Sequence, residues 1–556
     1  MDHWASALEQ HWGIRAKLKC LDGEYDLNFL AETPEGSGYV IKAMRPGCED
    51  WLVDLQIQTL DHIAKANRVL PCPTVVAALS GEKMLHLQDD AGETRLVWVI
   101  ERLPGQCYAH AAPKTEQLIT EVGEILGATT ATLRDFEHPK LSRDFKWDLM
   151  RADWVAKDLA CIEDGARKTL IRKICDQYQA LKPELDRLPQ QAIHNDANDY
   201  NILVSGGAGT GETPHVSGLI DFGDMCAAPR ICDLAIAAAY QVLDHPKPDA
   251  ALAALVSGYH AVNPLNAHEI DLLWPLLRMR LAVSVVNSTL MAAENPDDPY
   301  ITISQGPAWR FLEGHDLSAG LMAARLRAAC DLPVVDGADR VMAWLNEARG
   351  SFAPLMGRDL SDAPMGSLSV ENSLWPQNPF EMPLAEAARV GEEFNQEGQI
   401  WLGYYHEPRL IYTAAAFRNG PWKASDRRTV HLAVDGFAPA GTALHAPLDG
   451  EVWIAENRKT HLDYGGVIIL RHETPEGDTF YTLYGHLDPE AITRLNPGDR
   501  VAKGEIFCHL GTPAQNGGWS PHVHFQLALS CDGIEADWPG VGDPDEMYLW
   551  RALCPN

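Results

Sequence analysis

The chain has 556 residues, too many for one hydrophobic core, so two to four domains are expected. Its 46% apolar and 22% charged residues are those of a folded globular protein and exclude wholesale disorder. Lys and Arg number 46 against 77 Asp and Glu, and the resulting charge of −31 argues against nucleic acid and anionic membranes as partners. No uninterrupted apolar span reaches transmembrane length. Met1 to Leu21 mixes acidic and basic residues without the apolar centre of a secretory signal, so the expected location is cytoplasmic. The 12 cysteines lack paired spacing and read as free thiols.

From Lys17 to Met44 the pattern predicts strands at Leu18–Leu21, Asn28–Ala31 and Tyr39–Ala43, broken by turns at Asp22-Gly23-Glu24 and at Pro34 to Gly38. A hairpin tip bearing Gly23 could cover nucleotide phosphates with backbone N–H groups. Lys42 interrupts the apolar Tyr-Val-Ile-Lys-Ala strand and could reach those phosphates as a charged donor. Trp51 to Ala64 reads as a helix, with Asp54 and Gln56 as candidates to orient Lys42. Val69–Leu79 and Arg95–Ile100 read as further strands. Glu101-Arg102-Leu103-Pro104-Gly105 then forms a turn whose backbone, around Glu101 and Leu103, could meet a purine edge.

Helices are expected over Gln117–Leu133, from Trp147, and over Arg167–Leu181, ending before Pro189. Next come His194-Asn195-Asp196-Ala197-Asn198-Asp199-Tyr200-Asn201 and, past a Gly206–Gly211 tip, Leu219-Ile220-Asp221-Phe222-Gly223-Asp224. Apolar runs flank both clusters, so their polar groups fall at strand ends. Phosphoryl transfer needs a carboxylate to receive the hydroxyl proton, with an amide oxygen and a second carboxylate to hold Mg²⁺. Asp196, Asn201 and Asp221 supply that set in that order, and His194 reads as a buttress of the turn. Asp233 reads as an N-terminal cap of the apolar helix Leu234–Leu243. Helical patterns continue through Leu252–Tyr259, His268–Leu290 and Gly320–Cys330, a lobe suited to a small, cationic acceptor.

Residues 15 to about 340 resemble the aminoglycoside phosphotransferase and choline kinase-like superfamily, most closely its hydroxylysine-kinase-type branch. Tyr25-Asp26-Leu27-Asn28-Phe29, Val40-Ile41-Lys42, Arg102-Leu103-Pro104-Gly105, Trp147-Asp148-Leu149, His194 to Asn201 and Gly218 to Met225 carry the likeness. It implies an α+β bilobal protein-kinase-like fold that moves the γ-phosphoryl of ATP or GTP to the hydroxyl of an amino alcohol or hydroxylated amino acid. By position it makes Asp196 the base, Asn201 and Asp221 the Mg²⁺ ligands, and Lys42 the phosphate partner. Asn195 stands where many relatives have Gly.

From Phe352 to about Phe394 periodicity fades and Pro, Gly and Ser accumulate, the pattern of a connector whose Trp375 and Phe380 suggest docking. After Ile400 short alternating strands and Gly turns indicate an all-β domain. It carries His431-Leu432-Ala433-Val434-Asp435, Tyr484-Gly485-His486-Leu487 and Pro521-His522-Val523-His524-Phe525. Two histidines and one carboxylate with an open fourth position make a catalytic zinc site: His431, Asp435 and His524 as ligands. His486 and His522 would orient water and stabilise oxyanion charge.

Residues 400–530 resemble the LytM-type (M23) zinc metallopeptidases, also through Pro439 to Thr442, Ala446 to Val452 and Gly498 to Glu505. The likeness implies the same ligand and catalytic roles and a short peptide or amide substrate; Ala433 replaces a usual Gly. Proteins joining these two domains resemble a larger fusion with a class III aminotransferase-like phospho-lyase, so a covalent fusion of that kind, and a homo-oligomer, are expected partners. The expected domains are 1–103 (kinase N-lobe), 104–345 (C-lobe), 346–399 (linker), 400–535 (all-β zinc domain) and 536–556 (tail or further linker). Two other readings stand beside the two-site enzyme: a zinc peptidase carrying a nucleotide-binding pseudokinase, and a non-catalytic scaffold.

Overall fold

The computed structural model describes residues 1–21, 26–207, 209–315, 317–371, 399–417, 428–535 and 538–556. Gly23, Trp375 and Phe380 lie outside the described residues. The chain divides into two compact units, Met1–Ala319 and Gly320–Asn556.

The first unit opens on a helix, Asp2–Trp12, whose buried Trp4, Leu8 and Trp12 recur every fourth residue along one face. That face packs on Phe29, Ala31, Ile41, Ala43, Val97 and Val99, alternate residues of the strands Leu27–Glu32, Gly38–Ala43 and Thr94–Glu101. These strands form the middle of an antiparallel sheet. Lys42 sits between Ile41 and Ala43, so the pleat turns it to the opposite face, paired with Asn28 and Trp98. Of the stretch Val69–Leu79, expected as a strand, only Val75–Val76 pairs with the sheet. Pro71 and Pro73 offer no N–H to a ladder, which accounts for the shortfall.

Helices make up most of the second lobe. Glu116–Thr132 and Pro248–Val262 touch backbone to backbone: a Cβ on Gly123 would stand 2.1 Å from Leu255 O, and one on Gly258 2.2 Å from Thr120 O. The helix Ala267–Glu294 starts on a capping box of Asn266 and Glu269. It is long and apolar enough to cross a membrane by length and composition, but 72% of its apolar window is buried within the protein. It also carries buried Arg278 and Arg280, and it forms the core of the lobe. Short hairpins present the polar clusters. Ile202–Ser205 pairs with His215–Leu219, and Ile220 N donates to Asn201 O at 2.9 Å, so the two motif segments leave one hairpin side by side.

The second unit is built on an eight-stranded sheet running, edge to edge, Met365–Gly366, Trp401–Gly403, Val434–Phe437, His522–Ala528, Thr479–Leu487, Gly465–Glu473, Gly450–Arg458 and Arg500–Val501. All neighbours are antiparallel except the first pair. Val467 and Ile469 face one core while Ile468 and Leu470 face another, the alternation expected of a sheet buried on both sides. Residues of Ala319–Ala329 and Ala338–Ala348, placed with the C-lobe in the sequence reading, pack here: Ala324, Ala338 and Val341 join the core with Leu549 and Trp550. The expected tail also contributes: Val541–Gly542 pairs with Val430–His431, and the helix Met547–Leu553 buries Leu549, Trp550 and Leu553. Within the expected linker, Met356 is buried in the second core. All 12 cysteines are unpaired.

Candidate active sites

The first site is a loop whose side chains brace one another. Asn198 is the pivot: its Oδ1 accepts from Tyr200 N (2.8 Å) and Asn201 N (3.1 Å), and its Nδ2 stands 3.1 Å from each oxygen of Asp196. Asn201 Nδ2 donates to Asp196 O (2.9 Å) and Oδ2 (2.8 Å). With the amide nitrogen so engaged, the amide oxygen remains for a cation. His194 Nε2 meets Ile220 O at 3.0 Å while its Nδ1 accepts from Asp196 N at 3.2 Å. These partners fix the tautomer with the proton on Nε2. The imidazole thus ties the Asp196 turn to the segment before Asp221, the buttress the sequence suggested. Burial pushes its pKa down and keeps it neutral.

Asp221 adopts φ 62°, a conformation Asp tolerates, and its Oδ2 lies 3.5 Å from Lys42 Nζ. The lysine's charge lowers the Asp221 pKa against the opposing effect of burial, so the carboxylate is ionised. An ionised carboxylate and a free amide oxygen are hard oxygen donors of the kind Mg²⁺ takes. Asp196 behaves differently. Burial, then the nearby Asp224 charge, push its pKa up to about 8, against the pull of Arg280 and Asn198. Arg280 is buried, donates to Asp196 Oδ1 at 3.3 Å and to Trp147 O at 3.1 Å, and stacks 4.6 Å from the Trp147 ring.

Asp54 does not orient Lys42. Its Oδ2 takes Gln58 Nε2 at 2.7 Å and meets His138 Nε2 at 3.3 Å, and among the described residues no ion pair joins it to Lys42. Asp50–Ala66 is a single helix, and its turn points Asp54 toward His138 instead. The other candidate, Gln56, is buried, and its Oε1 lies 4.0 Å from the point a Cβ on Gly223 would occupy. Glu101 ends its strand with its N–H on Thr74 O (2.8 Å), and the Leu103 side chain packs over Gly218. Asp233 is no cap: it lies inside the helix Arg230–Gln241, whose cap position is Pro229. Its buried carboxylate accepts from Asn195 N (2.8 Å), His194 N (3.3 Å) and Thr130 Oγ1 (3.1 Å), bracing the loop from behind.

The second site follows from strand register. Asp435 and His524 are cross-strand partners, and His431 lies four residues before Asp435 on a short strand paired with Val541–Gly542. His431 Nε2 stands 3.1 Å from His524 Nδ1 and 3.2 Å from Asp435 Oδ1, and His524 Nδ1 is 3.6 Å from the same oxygen. Ligands at zinc distances and tetrahedral angles stand about 3.3 Å apart, so the three atoms fit one ion. All three residues are buried, and among the described residues Asp435 Oδ1 has no hydrogen-bond donor. The outer nitrogens are held as ligands need: His431 Nδ1 on Tyr404 O (3.3 Å) and His524 Nε2 on Gln526 Oε1 (3.1 Å).

Burial opposes ionisation of Asp435, but His431 and Arg409 hold its pKa well below the usual range. Burial lowers the His524 pKa to about 3, and burial followed by the neighbouring imidazoles lowers that of His486. Burial lowers that of His522 as well. His486 Nδ1 is anchored on Asn516 O (3.2 Å) and His522 Nδ1 on Ser520 O (2.6 Å), with ring centroids 4.3 Å apart. Both leave Nε2 for the cavity. That cavity, about 30 Å³ in volume, is lined by His431, Asp435, His486, His522 and His524 together with Arg409 and Tyr412.

The sequence reading missed Asn198 and Arg280 at the first site and Arg409 at the second, and gave Asp233 only a capping role. A lone acid in Ile-Cys-Asp-Leu-Ala-Ile and an arginine within an apolar helix were the available signals for Asp233 and Arg280.

Residues 19–270 match the Phosphotransferase enzyme family, and residues 429–535 match Peptidase family M23. Hydroxylysine kinase of Danio rerio is 27% identical over 312 residues, covering 54% of this chain and 87% of the relative. Homoserine kinase of Pseudomonas aeruginosa (strain LESB58) is 27% identical over 277 residues, covering 49% and 80%. Among solved structures, an amicoumacin kinase aligns with a TM-score of 0.43 at 13% identity, covering 56% of this chain and 93% of that one. A microcompartment-associated aminopropanol kinase aligns at 0.41 and 17%, covering 60% and 100%. Both expected domains are therefore present: a phosphotransferase-family kinase domain at the N-terminus and a β-rich M23 peptidase domain at the C-terminus.

Proposed function

From a chain that joins a phosphotransferase-family domain to an M23 domain, we propose a two-site enzyme whose first activity phosphorylates the hydroxyl of a hydroxylated amino acid or amino alcohol. The observation that carries this reading is the Asn201 amide seated on the Asp196 carboxylate beside the Lys42–Asp221 pair. Asp196 takes the acceptor's hydroxyl proton, a role its raised pKa supports. Asn201 and Asp221 hold Mg²⁺, Lys42 pairs the phosphates of ATP or GTP, and the backbone near Glu101 and Leu103 meets the base. Magnesium supplies charge neutralisation at the transferred phosphoryl group. The hydroxylysine kinase and homoserine kinase relatives favour an acceptor bearing an amine and a carboxylate beside its hydroxyl.

In the second domain His431, Asp435 and His524 hold zinc, which supplies Lewis acidity toward a water and an amide carbonyl. His486 and His522, neutral with Nε2 turned inward, hold and pass the proton as a short peptide or amide is cut. The unpaired cysteines support a cytoplasmic setting.

The test is Mg²⁺-dependent nucleotide turnover across a panel of hydroxylated amino acids and amino alcohols. Turnover with one member and none without acceptor is expected. Nucleotide binding without turnover on any member would favour the pseudokinase reading. Zinc content of the parent against His431→Ala with His524→Ala tests the second site separately.

A further inference from the structure

Asp435 has two carboxylate oxygens, and they meet different chemistry. Oδ1 faces nitrogens of His431, His524 and His522 and, among the described residues, has no hydrogen-bond donor. Oδ2 accepts from Arg409 Nη1 at 2.7 Å. Arg409 is 4% exposed, and it is held in turn: Nε donates to Glu407 Oε2 at 2.9 Å, and Nη1 also reaches Tyr412 Oη at 3.3 Å. Glu407, itself buried, is fixed through Oε1 by Leu368 N (2.8 Å) and Ser367 Oγ (2.9 Å). Gly403 opens the space for the guanidinium, since a Cβ there would stand 3.1 Å from Arg409 Nη2 and 3.3 Å from Asp435 Cβ. Gly403, Glu407, Arg409 and Tyr412 all precede residues 429–535, the stretch that matches the peptidase family.

We propose that Arg409 is a positioning residue of the metal centre, and that residues 403–412 form a wall of this site which the matched peptidase domain does not itself supply. A carboxylate can ligate a cation through one oxygen or through both. With Oδ2 committed to Arg409, Asp435 presents Oδ1 alone, which preserves the open position a hydrolytic zinc needs. A buried cation beside a metal would ordinarily repel it, and here Glu407 supplies the compensating charge. Arg409, Glu407 and Asp435 together carry one net negative charge before a divalent ion enters. The inference rests on reading His431, Asp435 and His524 as metal ligands.

The test is zinc titration of the full chain against a competing chelator, with the visible spectrum of the cobalt-loaded protein, for the parent, Arg409→Met, Arg409→Lys and Glu407→Gln. Arg409→Met is expected to weaken zinc by about 10- to 100-fold. Its cobalt absorption should lose intensity as Asp435 becomes free to ligate through both oxygens, and Arg409→Lys, which keeps the charge, should recover most of the loss. Glu407→Gln should shift both readouts in the same direction by less, and it carries the test should Arg409→Met not fold. Parent-like affinity and spectrum in Arg409→Met, or in Glu407→Gln where only that variant folds, would overturn the inference while leaving the metal reading intact. A parent chain that takes up no metal would overturn both.

Discussion

Asn201 Nδ2 donates to Asp196 Oδ2 at 2.8 Å, so the residue proposed to hold magnesium also orients the proposed base. Asn201→Asp would keep an oxygen ligand but set two carboxylates against each other. The variant should lose about 1–3 kcal/mol of stability, and Mg²⁺ should restore part of it. Thermal unfolding with and without Mg²⁺ measures both effects, and an unchanged melting temperature in the absence of the ion would count against the arrangement.

Asp233 is completely buried and accepts the backbone N–H groups of His194 and Asn195 and the Thr130 hydroxyl. Asp233→Asn replaces one acceptor oxygen with a donor and leaves a buried N–H without a partner. A loss of about 1–3 kcal/mol in denaturant unfolding is expected, with reduced kcat and nucleotide affinity little changed. Parent-like kcat would show that the loop holds its shape without this brace.

His194 gives the first unit an acid limit. Its pKa is lowered in the fold, so between the ordinary value near 6.5 and the lowered one the unfolded chain binds the proton and the folded chain does not. The stability it contributes is therefore present above about pH 6.5 and lost as pH falls below that toward the folded value. Protonation also removes the Nδ1 acceptor of Asp196 N. Stability measured from pH 8 to 5 should decline on the acid side, and His194→Gln should flatten that slope. An equally steep slope in the variant would assign it elsewhere.

Arg280 places a positive charge 3.3 Å from Asp196 and opposes the upward push on its pKa. In Arg280→Met the acid limb of the kcat/KM profile should move to higher pH, with about 2 kcal/mol of stability lost with the charged hydrogen bond. Arg280→Lys should keep the limb near its parent position. A limb that stays put in Arg280→Met would mean that Asp196 is not the group titrating.

The candidate site residues were legible where the proposed chemistry dictates both residue type and spacing. Asp196, Asn201 and Asp221 follow in the order that base and metal ligands require, and the structure places them around one hairpin. His431, Asp435 and His524 were legible for the same reason. Of the residues that hold them, His194 was legible as a buttress and the others were not. Asp233 reaches back to His194 and Arg409 forward to Asp435, and no local pattern marks such pairings. Asp54 shows the converse error, a carboxylate on the expected helix but turned by its phase toward His138. Residues 320–345 read from sequence as part of the C-lobe, yet Ala324, Ala338 and Val341 pack in the core with Leu549 and Trp550, because an apolar helix face does not say which core buries it.

The most direct test of phosphoryl transfer by Asp196 is ADP or GDP release with the best acceptor, comparing the parent with Asp196→Asn at saturating Mg²⁺. The parent should turn over only when acceptor is present, and the variant should fall by about 100- to 10,000-fold in kcat while still binding nucleotide. Acceptor-dependent turnover at the parent rate in Asp196→Asn would contradict it.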